Sequence, residues 1–346
     1  MKININGTVC TSIDEIKQVA SPEVSAFIEE YFNSNDYVVA HTSGSTGEPK
    51  EIHLKKADME ASARITNDFF HLNNNSLFYL CLSPNYIAGK MMIVRALLLQ
   101  APIIEEAPSN KPLEHFDEAR KIALLAVVPS QIVFLLNNPD KLELIENMII
   151  GGGALSPQLE RNLADRGINA YITYGMTETC SHIALAKVQS HIPLPFCALG
   201  DITVQVDDNK CLTINTPHFT QKQFITRDVV DFVDNKHFYW RGRFDNVINS
   251  GGIKIFPEEV EAKIAPLFRT ARFYITSQTS EKWGEEVVIV IEYPSLPEGT
   301  KKFGDVQTGM VEKMKTLLPA HSVPRHFIAV SKIPTTSSGK IIRTKF

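Results

Sequence analysis

The chain has 346 residues, of which 44% are hydrophobic and 21% charged, with a formal net charge of −4. That composition is ordinary for a soluble globular protein, and the length suits one large domain plus a smaller one. The small acidic balance excludes a global basic field for nucleic acid, and the most apolar long stretch, MMIVRALLLQAPII, holds Arg95 and Pro102 and is too short to cross a bilayer.

The first residues, MKININGTVC, alternate in polarity and lack the apolar core of a signal peptide. An apolar run then leads into TSGSTGEPK (42–50), a loop dense in Thr, Ser and Gly that closes on Lys50. A helix is expected to start near Lys56–Ala57. The loop would then lie between a strand and a helix, a context suited to holding an anion on backbone N–H groups. It is not a Walker A loop, which places its lysine directly after the second glycine. Taken by itself it is equally a plain turn.

Strand and helix patterns alternate from residue 76. SLFYLCLS (76–83) reads as a buried strand and IAGKMMIVRALLLQ (87–100) as a helix. ALLAVVP then SQIVFLLNN, and NMII then SPQLERNLADRG, repeat the alternation, and NAYITYG (169–175) is a further strand. This order predicts a mainly parallel sheet covered by helices. Ser156, Pro157 and Gly167 punctuate one helix as N-cap, first residue and terminator. From about residue 198 the pattern becomes that of antiparallel hairpins around Asp-Asp-Asn and Asp-Asn turns. After RGRFDN a compact α+β unit is expected: helix FPEEVEAKIAPLF, strands ARFYITS and EEVVIVIEY, a helix near 304–318 and strand HFIAVSK. We place the domain boundary at residues 243–244, giving 1–243 and 244–346.

The cysteines, Cys10, Cys81, Cys180, Cys197 and Cys211, form no CxxC pair. Reduced thiols in a cytoplasmic protein are expected. The histidines, His53 and His182 among them, show no ligand spacing and are expected at the surface or in the core.

Four other stretches share the character of the 42–50 loop. IIGGGALS (149–156) sets three glycines at a strand's carboxyl end, where a flat base can approach the backbone. YITYGMTETCSHI (171–183) ends a strand with an aromatic residue and then one carboxylate, Glu178, between hydroxyls, a natural Mg²⁺ ligand beside a triphosphate. RGRFDNVINSGGIKIFPEEVE (241–261) pairs arginines with a Gly-Gly turn, and PTTSSGKIIRTKF (334–346) carries a second loop lysine, Lys340.

In this order the stretches resemble the adenylate-forming family of acyl- and aryl-CoA synthetases, luciferases and adenylation domains. TSGSTGEPK resembles its phosphate loop and YGMTET its adenine and magnesium motif. TRD (226–228) resembles its ribose-binding Thr-Gly-Asp, with Arg227 where the family has glycine. GRFDNVINSGGIKIFPEEVE resembles its hinge and PTTSSGK its catalytic-lysine segment. The likeness covers residues 36–346, and the phosphate loop comes much earlier than in most of the family, so a shortened N-terminal region is expected.

The resemblance implies ATP, Mg²⁺ and coenzyme A as cofactor and cosubstrates, and a small carboxylic acid as the other substrate. Thr42, Ser43, Ser45, Thr46 and Lys50 would hold the β- and γ-phosphates. Thr177 would contact the α-phosphate and Glu178 the Mg²⁺. Gly151, Gly152, Gly153 and Tyr174 would enclose adenine. Asp228 would accept the ribose hydroxyls, supported by Arg243. Asp245 would be the hinge, and Lys340 would bridge the acid and the α-phosphate.

Within the family, SPNYIAGKMMIVRALL, LLAVVPSQI and YGMTETCSHIALAK look most like the o-succinylbenzoate–CoA ligases of menaquinone synthesis, although SPNY stands where many relatives have a Pro-x-x-His-like segment. The acid pocket is expected to involve Tyr86, Lys90, Arg95, Thr173 and Ser181. A physical argument points the same way. The helix at 87–100 is apolar nearly all round and should be buried. A buried arginine needs an anion, and the helix offers none within one turn of Arg95. Either the acid's unreacted carboxylate or a distant acid such as Glu105 or Glu106 could serve. Lys90 could equally reach water. Another aryl- or fatty-acid–CoA ligase, or a non-catalytic AMP-binding module, are the competing readings. Oligomeric state is left open.

Overall fold

The computed structural model describes residues 1–43, 49–189, 194–268, 271–336 and 341–346, with the side chains of Thr42, Ser43 and Pro49 excepted. Most of the first 243 residues are organised by one sheet of thirteen strands. In spatial order these are Thr203–Val206, Cys211–Asn215, Gln223–Phe232, His237–Arg243, Phe196–Ala198, Ser181–Lys187, Ala170–Met176, Met148–Ile150, Leu124–Val127, Phe78–Leu80, Pro102–Glu105, Ile3–Ile5 and Thr8–Cys10.

The strands from Ile3–Ile5 across to Ala170–Met176 pair in parallel. Between them run the helices Ile87–Leu99, Pro129–Asn137 and Pro157–Asp165. Side chains alternate across a strand, so each parallel strand feeds two cores. Phe78, Leu80, Leu124 and Ala126 face the core beneath Lys56–Phe69 and Ile87–Leu99. Tyr79, Leu125, Val127 and Ile150 face Ile132, Leu135 and Leu163 of the two other helices. The helix Pro157–Asp165 has the punctuation expected: Ser156 Oγ accepts from Leu159 N at 3.3 Å, and Gly167 sits at φ +66°.

The hairpins expected after residue 198 do form, but they continue this same sheet. Ala170–Met176 is the junction, parallel to Met148–Ile150 on one side and antiparallel to Ser181–Lys187 on the other. The reason is local. A turn at Thr177–Thr179 is too short for a crossover, so the chain must return antiparallel.

One feature of the N-terminal part differs from expectation. Lys50 lies in a strand, Pro49–Lys55, that pairs antiparallel with Tyr37–Ser43. The 44–48 segment therefore joins two strands of a hairpin, while the helix Lys56–Phe69 starts where expected, directly after the second strand. The helices Ile13–Val19 and Pro22–Phe32 precede this hairpin; Ser12 caps the first with a full capping box.

Beyond residue 246 a second sheet of six strands forms, with Gly284–Glu292 and His326–Val330 at its centre and Phe273–Ser280 paired to the first of these. Val260 and Ile264 of the helix Pro257–Ile264 and Met314 of the helix Thr308–Lys315 pack on it. The strand Lys301–Asp305, not expected from the sequence, pairs with His326–Val330. This unit meets the large sheet through charged groups: Arg241 of strand His237–Arg243, itself paired with Asp231 of the neighbouring strand, pairs with Glu259 and lies 5.1 Å over the Phe256 ring. Among the described residues all five cysteines are unbridged, and no helix is long and apolar enough to cross a membrane.

Candidate active site

Met148–Ile150 and Ala170–Met176 end side by side, and their carboxyl ends carry two of the motifs. Gly151 follows the first strand directly, beside Thr173 of the second. Thr173 Oγ1 donates to the Ile150 carbonyl at 3.1 Å, and a Cβ on Gly151 would come within 2.6 Å of that hydroxyl. Any side chain there would break the hydrogen bond. Gly152 and Gly153 are exposed, so this corner offers bare backbone to a flat ligand.

The turn after Ala170–Met176 is strained into shape. Cys180 and Ser181 both hold positive φ, 51° and 83°, which costs non-glycine residues of order 1 kcal/mol each. Thr179 Oγ1 accepts from Met176 N at 3.1 Å and lies 2.9 Å from the Ser181 carbonyl, tying both ends of the turn. Gly175 permits the crossing, because a Cβ there would fall on Ser181's backbone. The result pushes Thr177 and Glu178 outward, Glu178 being exposed. The strand Tyr37–Ser43 packs beside this turn, which brings the edges of the 44–48 segment and Lys50, Thr42's partner in register, toward it.

Tyr174 connects this turn to the antiparallel half. Its ring packs edge-on against Phe238, centroids 5.1 Å apart, and its hydroxyl donates to Asp228 Oδ2 at 2.8 Å. Trp240 Nε1 donates to the other oxygen at 3.2 Å. Arg243, paired in register with Asp228, has a guanidinium nitrogen 3.8 Å from Oδ1. Burial, then the Asp228 charge, push the Tyr174 phenol well above its ordinary value, so it stays a donor. Each Asp228 oxygen has a lone pair left for a further donor such as a ribose hydroxyl. Trp240 was not singled out from the sequence; its alternation with Phe238 along FYWRGR was the available signal.

Arg243 also reaches Asp245, 3.4 Å from Oδ2, while Arg227 donates to Oδ1 at 2.6 Å. Burial raises the Asp245 pKa, but hydrogen bonds and charge from both arginines outweigh it, and the carboxyl sits below its ordinary value.

Arg95 is 1% exposed and is among the largest fully buried side chains. One terminal nitrogen donates to Ser181 Oγ at 2.9 Å and lies 3.5 Å from His182 Nδ1; the other is 3.8 Å from Met92 Sδ. Nε is buried without a partner. Among the described residues no carboxylate lies within ion-pair distance of it. Glu105 instead accepts from Ser21 N, and Glu106 from Leu113 N and His115 N, so neither serves as the distant acid. Burial draws the Arg95 pKa down to about 9.

Lys90 does not share this situation. It is 7% exposed rather than reaching water, its Nζ is 3.7 Å from Glu30 and it lies 4.5 Å over the Phe27 ring. Five residues on a helix separate Lys90 from Arg95 by about 140°, so the two face different sides. The anion that an acid substrate would have supplied to Lys90 is supplied by Glu30. Tyr86 is exposed at the N-terminus of the same helix.

Ser45, Thr46 and Lys340 lie outside the described residues, as do the side chains of Thr42 and Ser43. The flanks of Lys340 are anchored: Thr335 bridges Ile341, Ile342 N donates to the Pro334 carbonyl at 2.9 Å, and Arg343 donates to Glu261 Oε2 at 2.8 Å.

A family model described as AMP-binding enzyme matches residues 8–210, the part of the chain that holds the glycine corner and the Thr177–Glu178 turn. The chain belongs to that family. Among curated proteins it is similar to a 2-succinylbenzoate–CoA ligase of Bacillus cereus, 24% identical over 93% of this chain and 72% of the relative. A 2-succinylbenzoate–CoA ligase of Listeria monocytogenes is 26% identical over 93% and 72%. Among solved structures, an acyl-CoA synthetase (AMP-forming)/AMP-acid ligase II-like protein of Dyadobacter fermentans is 29% identical at a TM-score of 0.62 and covers 95% of both chains. The o-succinylbenzoate coenzyme A synthetase of Bacillus subtilis, solved with ATP and magnesium, superposes at a TM-score of 0.75 with 18% identity, over 88% of this chain and 68% of that one.

Proposed function

We propose that the protein is an ATP-dependent acid–CoA ligase and that its acid is o-succinylbenzoate, as in menaquinone synthesis. The buried guanidinium of Arg95 carries the second half of this reading. A charge buried without a carboxylate costs several kcal/mol. It is balanced when a substrate brings the missing anion, and o-succinylbenzoate has a second, unreacted carboxylate. A fatty acid has none. At 1% exposure Arg95 meets an acid only after the side chains over it yield, so acid binding couples to a local rearrangement.

The chemistry follows from the leaving group. A carboxylate would have to expel oxide, so it first attacks the α-phosphorus of ATP and pyrophosphate leaves. The thiolate of coenzyme A then attacks the acyl carbon, and AMP leaves with the bonding pair. The first step joins an anion to a polyanion and needs cations and oriented donors. We assign Lys50, with Thr42, Ser43, Ser45 and Thr46, to the β- and γ-phosphates and Thr177 to the α-phosphate. Gly151–Gly153 and Tyr174 take adenine, Asp228 and Arg243 the ribose, and Lys340 the reacting oxygens. Tyr86, Thr173 and Ser181 border the acid. Glu178, exposed on a turn held out by its own hydrogen bonds, fits a magnesium ion; that ion would neutralise charge on the phosphates. The 244–346 unit is proposed to rotate about Asp245 between the two steps, and its charged contact with the large sheet suits reversible docking.

ATP–pyrophosphate exchange against o-succinylbenzoate, benzoate and decanoate tests the proposal. Exchange with o-succinylbenzoate at least tenfold above the others is expected. Exchange with decanoate alone sinks the choice of acid, and exchange with no acid sinks the ligase.

A further inference from the structure

His182 lies against Arg95 and is 6% exposed. Its Nδ1 is 3.5 Å from the Arg95 nitrogen that also serves Ser181, and its Nε2 is 3.0 Å from Thr66 Oγ1. The protons follow by elimination. A guanidinium only donates, so Nδ1 accepts and the ring proton sits on Nε2. Nε2–H then donates to Thr66 Oγ1, whose own proton goes to the Ser62 carbonyl at 3.2 Å. One tautomer satisfies every partner. Among the described residues Arg95 is the one charged group facing the ring; the helix Lys56–Phe69 presents Thr66 to it, and Ser181 shares the Arg95 nitrogen. A second proton would aim at the guanidinium. Burial first, and the Arg95 charge second, hold the imidazole well below its usual range, so it stays neutral.

We propose that His182, as the neutral Nε2–H tautomer, is a positioning residue that holds one nitrogen of Arg95 so that its unpartnered donors are presented to the unreacted carboxylate of the acid. This rests on the acid reading above. Ser181 and His182 take the two hydrogens of one terminal nitrogen. Nε, and the nitrogen that meets only the Met92 sulfur, remain for an oxygen anion. A guanidinium with no such bracing would have several rotamers and would bind the anion at a larger entropy cost.

Two measurements on the full chain test this. Histidine ¹⁵N spectra of the acid-free protein should show Nδ1 unprotonated and Nε2 protonated for His182 from pH 5 to 8. Steady-state kinetics should compare o-succinylbenzoate with 3-benzoylpropanoate, the same skeleton without the ring carboxylate. His182→Leu should raise KM for the diacid about tenfold to a hundredfold, the worth of a hydrogen bond to a charged group. KM for ATP, KM for 3-benzoylpropanoate and kcat should move less than about twofold. His182→Asn, whose amide oxygen can stand where Nδ1 stood, should recover most of the loss. A protonated Nδ1, or equal losses for both acids, overturns the positioning role. Equal wild-type KM values for the two acids overturn the acid reading and the selecting role with it. If the leucine variant does not fold, the spectra and the asparagine variant decide.

Discussion

Arg227 donates to Asp245 Oδ1 at 2.6 Å, linking the residue before Asp228, the proposed ribose ligand, to the residue at the proposed hinge. Arg243 holds the other Asp245 oxygen and also faces Asp228. Arg227 stands where the Thr-Gly-Asp motif that TRD resembles has glycine, which has no side chain to make this arm of the clasp. The proposed nucleotide site and the proposed hinge are thereby joined through Arg227, Asp228 and Arg243 of one antiparallel pair of strands.

Arg227→Gly should release one arm of the clasp. Transfer from preformed acyl-adenylate to coenzyme A should quicken about two- to fivefold at low salt, while pyrophosphate exchange stays within twofold. The wild type should gain the same acceleration as salt rises, because exposed pairs are screened. Rapid-quench assays of the two half-reactions are the measurement. Asp245→Pro should do the reverse, sparing exchange and blocking transfer, since a fixed φ stiffens the hinge. Equal loss of both half-reactions would refute the hinge.

Lys340→Ala should lower adenylate formation from acid and ATP by about a hundredfold or more, the usual scale for removing one donor from a developing charge. Transfer from supplied acyl-adenylate should persist. Pyrophosphate release near the wild-type rate would remove Lys340 from the reaction.

Arg95→Met should separate stability from activity. Removing a buried charge that has no carboxylate partner among the described residues and filling its volume with an apolar chain should leave urea stability unchanged or raise it by about 1 kcal/mol. Exchange with o-succinylbenzoate should fall by about two orders of magnitude. A destabilised variant would show that the bonds to Ser181 and His182 outweigh the cost of burying the charge.

His182 should give the fold a one-proton pH dependence. Its folded pKa lies well below the ordinary value, so the unfolded chain binds the extra proton first. The stability from the neutral ring is complete above about pH 6.5 and is lost as pH falls below it, with a slope of about 1.4 kcal/mol per pH unit. Denaturant melts between pH 7 and 5 should show this slope in the wild type and lose it in His182→Asn. Parallel curves would mean that the ring protonates freely.

The motifs were legible because each is a run of neighbouring residues: a loop, a strand end, a turn. Periodicity likewise showed the helix at Ile87–Leu99 and its burial, since a run apolar on every side has no face for water. The strand Pro49–Lys55 escaped this reading. PKEIHLK has weak alternation and owes its conformation to pairing with Tyr37–Ser43.

The sequence by itself determined which chemistry-bearing groups exist and in what order, and that an arginine would be buried. Only the tertiary structure decided who meets whom. Glu30 reaches Lys90, Tyr174 reaches Asp228 across 54 residues, and His182 reaches Arg95 across 87. Periodicity reports which side of an element is buried, but the partner on the other side belongs to a distant segment. The reversal at Thr177–Cys180 and the sheet's strand order choose that partner. Among the described residues they left Lys90 an acid and Arg95 none.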